Sequence, residues 1–230
     1  MKYGIFIFIT MLLAACQKTE IAASNVPISP KSTRFRYLAL GDSYTIGEAV
    51  GAAGRFPTQL RDSLKAKGWT CDKDTVIART GWTTRNLLTA ISTAKTARNY
   101  DLVTLLIGVN NQFQRRSLAE YETEFQNCLN EAIRLANGNK QHVLVVSIPD
   151  YGYTPYGGTQ QSQISAALLP FNAACKRITQ QNGIEYVDIT PISQSGASGL
   201  VAADGLHPSA EQYRRWVNAM LTKTLTILEK

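Results

Sequence analysis

The chain has 230 residues, with 24 lysines and arginines against 17 aspartates and glutamates, so its formal net charge is +7. The length fits one domain with a short additional segment. No run of basic residues concentrates the charge and no nucleic-acid-binding motif is present, so we expect no nucleic-acid partner. The four cysteines contain no Cys-x-x-Cys pair and match no metal-binding spacing, so we also expect no metal.

The first residues are typical of an export signal. Lys2 precedes an apolar run that is shorter than the roughly 20 residues of a membrane span. The run ends at residues 13–16, Leu-Ala-Ala-Cys, which resemble the lipobox of bacterial lipoproteins. That resemblance implies a signal peptide at residues 1–15, a lipidated Cys16 and a location in the cell envelope, anchored to a bacterial membrane on its periplasmic or surface face. An ordinary secretory signal is the alternative, and polar residues 16–34 are interpreted as a flexible tether.

Strand and helix patterns alternate through the rest of the chain. Strands are predicted at residues 35–40, 75–78, 102–107, 142–148 and 186–189. Helices are predicted at residues 55–67, 83–97, 118–136, 161–181 and 208–228, and Pro170 is expected to kink or split the fourth. Three of the strands are continuous apolar runs, as in parallel sheets covered on both faces. The pattern therefore predicts one α/β domain at residues 35–230, with a parallel sheet and right-handed crossovers.

Reactive side chains follow the predicted strands. Ser43 stands on a glycine turn after the first strand, and Asp204 and His207 lie beyond the fifth. A serine becomes a nucleophile when a base takes its proton and a third group orients that base. The other histidine, His142, begins strand four at the opposite edge of the sheet, so His207 is the candidate base and Asp204 the group that orients it. Pro208 suits a first helical position, which predicts that His207 lies at a helix start.

Acyl transfer also requires hydrogen-bond donors for the oxyanion that develops. Three candidates follow the first three strands: the backbone N–H of Ser43, the backbone N–H of Gly81 and the side-chain amide of Asn110. Glycine permits close approach of the backbone, and asparagine donates without adding charge.

Four blocks in this order resemble the SGNH (GDSL) hydrolase family. They are Gly41-Asp42-Ser43-Tyr44, Gly81, Gly108-Val109-Asn110-Asn111 and Asp204-Gly205-Leu206-His207-Pro208. The resemblance implies a flavodoxin-like three-layer α/β/α sandwich with five parallel strands in the order 2-1-3-4-5. It also implies Ser43, His207 and Asp204 as catalytic residues, an oxyanion hole of Ser43, Gly81 and Asn110, and no metal or organic cofactor. Tyr44 stands where the family's name-giving motif has leucine.

Other enzyme classes lack their motifs here. The chain contains no Gly-x-Ser-x-Gly elbow, no Gly-x-Gly-x-x-Gly fingerprint and no phosphate-binding loop. The predicted function is a monomeric serine esterase that cleaves short acyl or acetyl esters of carbohydrates. A lysophospholipase or thioesterase, an acyltransferase and a non-catalytic glycan-binding lipoprotein are the alternatives.

Aromatic residues near the predicted site are candidates for substrate contacts. Trp82 follows the oxyanion glycine, while Tyr151, Tyr153 and Tyr156 lie in the loop after strand four. Their rings can stack on a sugar or line an acyl groove, and packing within the loop is the alternative. Residues 112–116 contain two arginines that suit either an anionic head group or a solvated helix start.

Overall fold

The computed structural model describes Met1 and residues 33–230. The predicted signal peptide, Cys16 and nearly all of the predicted tether lie outside the described residues, and those assignments stay predictions. Arg34, which was assigned to the tether, already forms a parallel bridge with Thr70. Pairing with the domain therefore begins one residue before the predicted boundary at residue 35.

A single parallel sheet organises the domain. Its five strands stand in the order β2-β1-β3-β4-β5, and every adjacent pair is parallel. Their bounds are β1 Tyr37–Gly41, β2 Asp74–Ala78, β3 Leu102–Leu106, β4 Val143–Val146 and β5 Glu185–Val187. The predicted fold class and strand order are confirmed. Each predicted strand is present, and four of the five are shorter than predicted because the strand pairing covers fewer residues than the sequence patterns do.

Helices cover both faces of the sheet. Their bounds are α1 Ser43–Ile46, α2 Gly51–Gly54, α3 Phe56–Lys65, α4 Thr84–Thr93, α5 Val109–Phe113, α6 Leu118–Leu135, α7 Gln161–Gln181, α8 Thr190–Ser193 and α9 Ala210–Leu228. Helices α4, α6 and α7 pack side by side, and α3 packs against α9. Right-handed crossovers from this strand order place those two groups on opposite faces, which makes three layers.

Pro170 does not split the fourth predicted helix, because α7 is continuous through it. The proline and the residue four positions earlier, Ala166, are both exposed. Water can therefore satisfy the carbonyl that loses its helical donor, which lowers the cost of proline at this position.

The core lies between the sheet and the two helical layers. Strands β1 and β3 are buried along their whole length, which explains why they are almost entirely apolar. Thr104, the polar residue of β3, forms a 3.0 Å hydrogen bond with the Tyr37 hydroxyl. Cys71, Cys128 and Cys175 are buried free thiols. Within the described residues, no helix combines the length and the apolar character needed to cross a membrane.

Candidate active site

The sheet brings three of the predicted site loops to one edge. Gly41, the last residue of β1, is in register with Ala78 of β2 and Leu106 of β3. The chain leaves all three strands at this edge, toward Ser43, Gly81 and Asn110 respectively. Ligand sites of open parallel sheets lie outside the carboxyl ends of the strands, near the point where the strand order reverses. Here that point is β1, which has β2 on one side and β3 on the other.

The Gly41-Asp42-Ser43 turn is shaped by close packing. A Cβ atom on Gly41 would lie 2.1 Å from Thr45 Oγ1 and 2.5 Å from the carbonyl oxygen of Leu106, so only glycine fits. Asp42 caps α1 by accepting a 3.0 Å hydrogen bond from the N–H of Tyr44. Ser43 is then the first residue of that helix, where its N–H has no intrahelical acceptor. The turn therefore presents both the hydroxyl and the N–H of Ser43 at the edge of the sheet.

Asp42 is a fully buried carboxyl group with one oxygen that lacks a partner. Its Oδ1 accepts the Tyr44 N–H, whereas no hydrogen bond reaches Oδ2 from any described residue. Burial raises the pKa of Asp42 to about 7, and the backbone N–H donors only partly oppose this. Near neutral pH the side chain is therefore close to half protonated.

This raised pKa predicts a loss of stability with rising pH. The folded chain holds the Asp42 proton more tightly than the unfolded chain, so the stabilisation is present at low pH and is lost as the pH rises through about 7. Between pH 5 and 8 this one group should lower the free energy of unfolding by about 2–3 kcal/mol. Asp42→Asn keeps an acceptor for the Tyr44 N–H but cannot ionise, so urea unfolding should show a flatter pH dependence in the variant. Equal pH slopes in the two proteins would contradict the expectation.

His207 and Asp204 form a close pair beside the turn. His207 Nδ1 lies 2.6 Å from Asp204 Oδ2, and Asp204 Oδ1 accepts the N–H groups of Leu206 and His207 at 3.0 Å each. Burial raises the pKa of Asp204, but the hydrogen bonds from the His207 ring and from the two N–H groups outweigh it, and the pKa lies below its ordinary value. An ionised carboxylate only accepts hydrogen bonds, so Nδ1 of His207 is the donor, and in the neutral imidazole Nε2 then has a free lone pair.

The predicted helix start at Pro208 is wrong. Helix α9 begins at Ala210 with Ser209 as its N-cap, so Pro208 precedes the helix. Pro208 instead forms an antiparallel bridge with Val201, and the carbonyl oxygen of His207 accepts the N–H of Ala202 at 2.8 Å. A folded loop therefore holds His207, and the helix dipole acts on it from a greater distance than predicted.

Two adjacent asparagines join the Asn110 segment to the Gly81 loop. Asn110 Nδ2 donates to the carbonyl oxygen of Trp82 at 3.0 Å, and its second amide hydrogen has no acceptor among the described residues. Asn111 is buried, accepts the N–H of Thr84 at 3.0 Å and donates to Thr84 Oγ1 at 2.7 Å. Gly81 has a positive φ of 79°, which favours glycine, and no hydrogen bond within the described residues uses its N–H. Hydrogen bonds therefore join the two loops, and the Gly81 N–H and the second amide hydrogen of Asn110 stay available as donors.

A small cavity lies between these loops. Its volume is about 60 Å³. It is lined by Ser43, Tyr44, Val109, Asn110, Phe113, Tyr151, Leu206 and His207. The ring of Tyr44, which stands where the Gly-Asp-Ser motif ordinarily has leucine, lies 5.3 Å from the ring of His207 and forms part of the cavity wall. The structure contains no hydrogen bond between Ser43 and His207, as is common where the substrate is absent.

The predicted substrate contacts are only partly brought together. Tyr151 lines the cavity, whereas Trp82 packs against the core and Tyr153 lies on a neighbouring depression. Phe113 also lines the cavity, a position that the sequence analysis did not assign to it. The available signal was spacing, because Phe113 follows Asn110 by three residues and residues three apart share a helix face.

Asp150 holds Tyr151 in place. Its Oδ1 accepts the N–H of Gly152 at 2.9 Å and its Oδ2 accepts the side-chain amide of Gln194 at 3.0 Å. Its own N–H donates to Ser193 Oγ at 2.8 Å. The loop after β4 is therefore tied to the segment around α8.

Among the described residues, no group of three or more His, Cys, Asp or Glu side chains is arranged to hold a metal ion.

Residues 39–215 match the GDSL-like lipase/acylhydrolase family. Those residues contain all four of the blocks that carry the resemblance. No curated protein matches the sequence.

Solved structures share the fold at low sequence identity. The crystal structure of TesA is 17% identical with a TM-score of 0.65, and the match covers 84% of this chain and 99% of that one. The acetyl xylan esterase AlAXEase is 17% identical with a TM-score of 0.64, covering 81% and 98%. Axe2, an acetylxylan esterase from Geobacillus stearothermophilus, is 19% identical with a TM-score of 0.62, covering 83% and 94%. At these identities the likeness concerns the fold alone.

Proposed function

The chain belongs to the GDSL-like lipase/acylhydrolase family and is a hydrolase of ester bonds, and from this premise we propose that it is a serine esterase specific for short acyl groups, above all acetyl esters of carbohydrates. The observation that carries the proposal is the shared cavity. Ser43, Asn110 and His207 all line it, and His207 is paired with Asp204. A nucleophile, a base with its orienting carboxylate and an oxyanion donor thus surround one small space.

The proposed reaction passes through an acyl-enzyme. His207 Nε2 takes the proton of the Ser43 hydroxyl as Ser43 Oγ bonds to the ester carbonyl carbon. The C–O bond to the alcohol then breaks, and the alcohol leaves with the proton from His207. Water enters, loses a proton to His207 and attacks the acyl carbon. The bond to Ser43 Oγ then breaks, Oγ receives the proton from His207, and the carboxylic acid is released. Asp204 keeps the imidazole in the required tautomer and stabilises its cation.

The carbonyl oxygen becomes negative at both addition steps. We propose that the N–H groups of Ser43 and Gly81 and the amide of Asn110 stabilise it. The two backbone N–H groups have no acceptor within the described residues, and Asn110 keeps one amide hydrogen beyond its bond to Trp82. Donors that are already oriented need no reorganisation as the charge forms.

A pair of neighbouring variants tests the role of Asn110. Asn110→Ala should lower kcat by about 10²–10³ with little change in KM, because the lost donor acts on the transition state. Asn111→Ala is the matched control and should destabilise the fold by about 2–4 kcal/mol, since it breaks two buried hydrogen bonds to Thr84. Steady-state kinetics and thermal unfolding of both variants test these two expectations. An Asn110→Ala enzyme with unchanged kcat would exclude this residue from the oxyanion hole.

The size of the cavity supports a short acyl group. A volume of about 60 Å³ beside Ser43 accommodates a small acyl group, which supports a preference for short chains. Values of kcat/KM on ethyl esters from acetate to palmitate should therefore be highest at acetate and fall steeply beyond butyrate. An optimum at eight or more carbons, or preferred hydrolysis of lysophosphatidylcholine, would replace this proposal with a lipid hydrolase.

Location in the cell envelope is a separate proposal. The lipobox-like residues 13–16 support lipidation of Cys16 and anchoring to a bacterial membrane. Expression in a bacterial host should place the full chain in the membrane fraction, and Cys16→Ser should move it to the soluble fraction. An equal distribution of both proteins would reject the anchor.

A further inference from the structure

Three aromatic rings meet at the mouth of the cavity. The centroids of Phe113 and Tyr151 are 6.0 Å apart, and Tyr156 lies 6.3 Å from each of them. Phe113 and Tyr151 also line the cavity that contains Ser43. We call these three residues the aromatic platform.

Two of the three rings of the aromatic platform are exposed to solvent, unlike the rings of a buried core cluster. Phe113 and Tyr156 keep 51% and 54% of their surface accessible, whereas Tyr151 keeps 6%. The inner ring is therefore packed in the domain, and the two outer rings offer faces or edges to solvent. Exposed aromatic surface beside a catalytic cavity is typical of a binding site.

The segment that carries Asn110 and the loop that carries His207 both hold the aromatic platform in position. Phe113 is the last residue of α5, the helix that carries Asn110. The N–H of Tyr156 donates to the carbonyl oxygen of Gly205 at 2.9 Å, within the loop of Asp204 and His207. The platform therefore has a defined position relative to the oxyanion donor and to the base.

Polar atoms at its rim match a polar ligand. The Tyr151 hydroxyl donates to Gln112 Oε1 at 2.9 Å, and Tyr156 adds a second phenol at an exposed position. A sugar ring has an apolar C–H face for stacking and hydroxyl groups at its edge for such atoms. An alkyl chain would use the rings but form no hydrogen bond with the exposed Tyr156 hydroxyl.

We propose that the aromatic platform binds the alcohol part of the ester, and that this part is a sugar ring stacked on Phe113 and Tyr156. The inference rests on the proposed function and adds the residues that bind the sugar. We place the acyl group in the cavity beside Ser43, so that the leaving alcohol lies at the opening, where Phe113 and Tyr156 are exposed. The platform makes and breaks no covalent bond: the acetyl group passes to Ser43, and the sugar hydroxyl leaves with the proton of His207.

Two acetyl esters that differ only in their alcohol test this proposal. The substrates are ethyl acetate and a monoacetylated methyl β-xylopyranoside, with release of acetic acid followed in a pH-stat. Phe113→Ala and Tyr156→Ala should each lower kcat/KM about three- to tenfold on the sugar ester. Each variant should lower the ratio of kcat/KM on the sugar ester to kcat/KM on ethyl acetate by at least threefold. This split between substrates would not arise from a merely structural role, which would lower both rates together.

Further variants sharpen the test. Phe113→Tyr and Tyr156→Phe keep the rings and should retain most of the activity on the sugar ester. Leu169→Ala removes a 67% exposed apolar side chain from α7, away from the site, and should change neither rate. Equal losses on both esters would overturn the proposal. A loss on ethyl octanoate as large as that on the sugar ester would also overturn it, by identifying an alkyl groove.

Failure of the proposed function would be recognised separately. If the wild-type protein does not hydrolyse ethyl acetate, the esterase proposal fails. Titration calorimetry with xylotetraose then tests whether the aromatic platform binds a sugar. Binding by the wild type that Phe113→Ala weakens would support a sugar subsite. Absence of binding by the wild type would overturn it.

Discussion

Ser43→Ala is expected to lower kcat/KM on ethyl acetate by about 10⁴–10⁶, because Ser43 is the proposed nucleophile that forms the acyl-enzyme. A residual rate from substrate binding and the oxyanion donors should remain. The fold should be unaffected, since the Ser43 hydroxyl has no hydrogen-bond partner within the described residues and its loss leaves no group unpaired. Kinetics and thermal unfolding of the purified variant test both expectations.

Ser165→Ala is the matched control for this experiment. The Ser165 hydroxyl is also buried without a partner within the described residues, but it lies on α7 outside the cavity. Its loss should leave both rate and stability near those of the wild type. Equal turnover by wild type and Ser43→Ala would show that Ser43 is not the nucleophile. If neither protein turned over any ester but both bound saccharides, the chain would be a non-catalytic glycan-binding protein.

His207→Ala is expected to have an effect of similar size, about 10⁴–10⁶ in kcat/KM, because Ser43 then loses its base. Asp204→Asn should cost about 10³–10⁴ with the geometry preserved. An asparagine still accepts the N–H groups of Leu206 and His207, but its NH₂ would face Nδ1. The imidazole would then carry its hydrogen on Nε2 and could not accept the Ser43 proton.

The Ser43→Ala/His207→Ala double variant separates a joint mechanism from independent roles. If the two residues act in the same step, the double variant should be no slower than the slower single variant. Multiplied losses would show that they act independently, which would contradict the proposed proton transfer. A melting temperature near that of the wild type is required of each variant, and circular dichroism provides this control.

The fold followed from local physics that the sequence displays directly. Two-sided burial makes β1 and β3 almost entirely apolar, and helix stops end the intervening helices, so the α/β alternation could be predicted. The strand order came from the family resemblance, since no periodicity in one strand identifies its neighbours. Proline suits the first position of a helix, so the sequence predicted a helix start at Pro208. In the structure Pro208 instead pairs with Val201, and α9 begins at Ala210.

The sequence by itself determined which reactive groups this protein has, and Ser43, Asn110 and His207 lie around one cavity because parallel strands end at a common edge. Only the tertiary structure decided which aromatic residues join them. Tyr153 and Tyr156 are three residues apart in one loop, yet only Tyr156 contacts Phe113, because its N–H is bonded to Gly205 from a distant part of the chain. The raised pKa of Asp42 likewise depends on complete burial under neighbouring elements. Long-range packing sets both features, and the spacing of residues along a chain does not encode it.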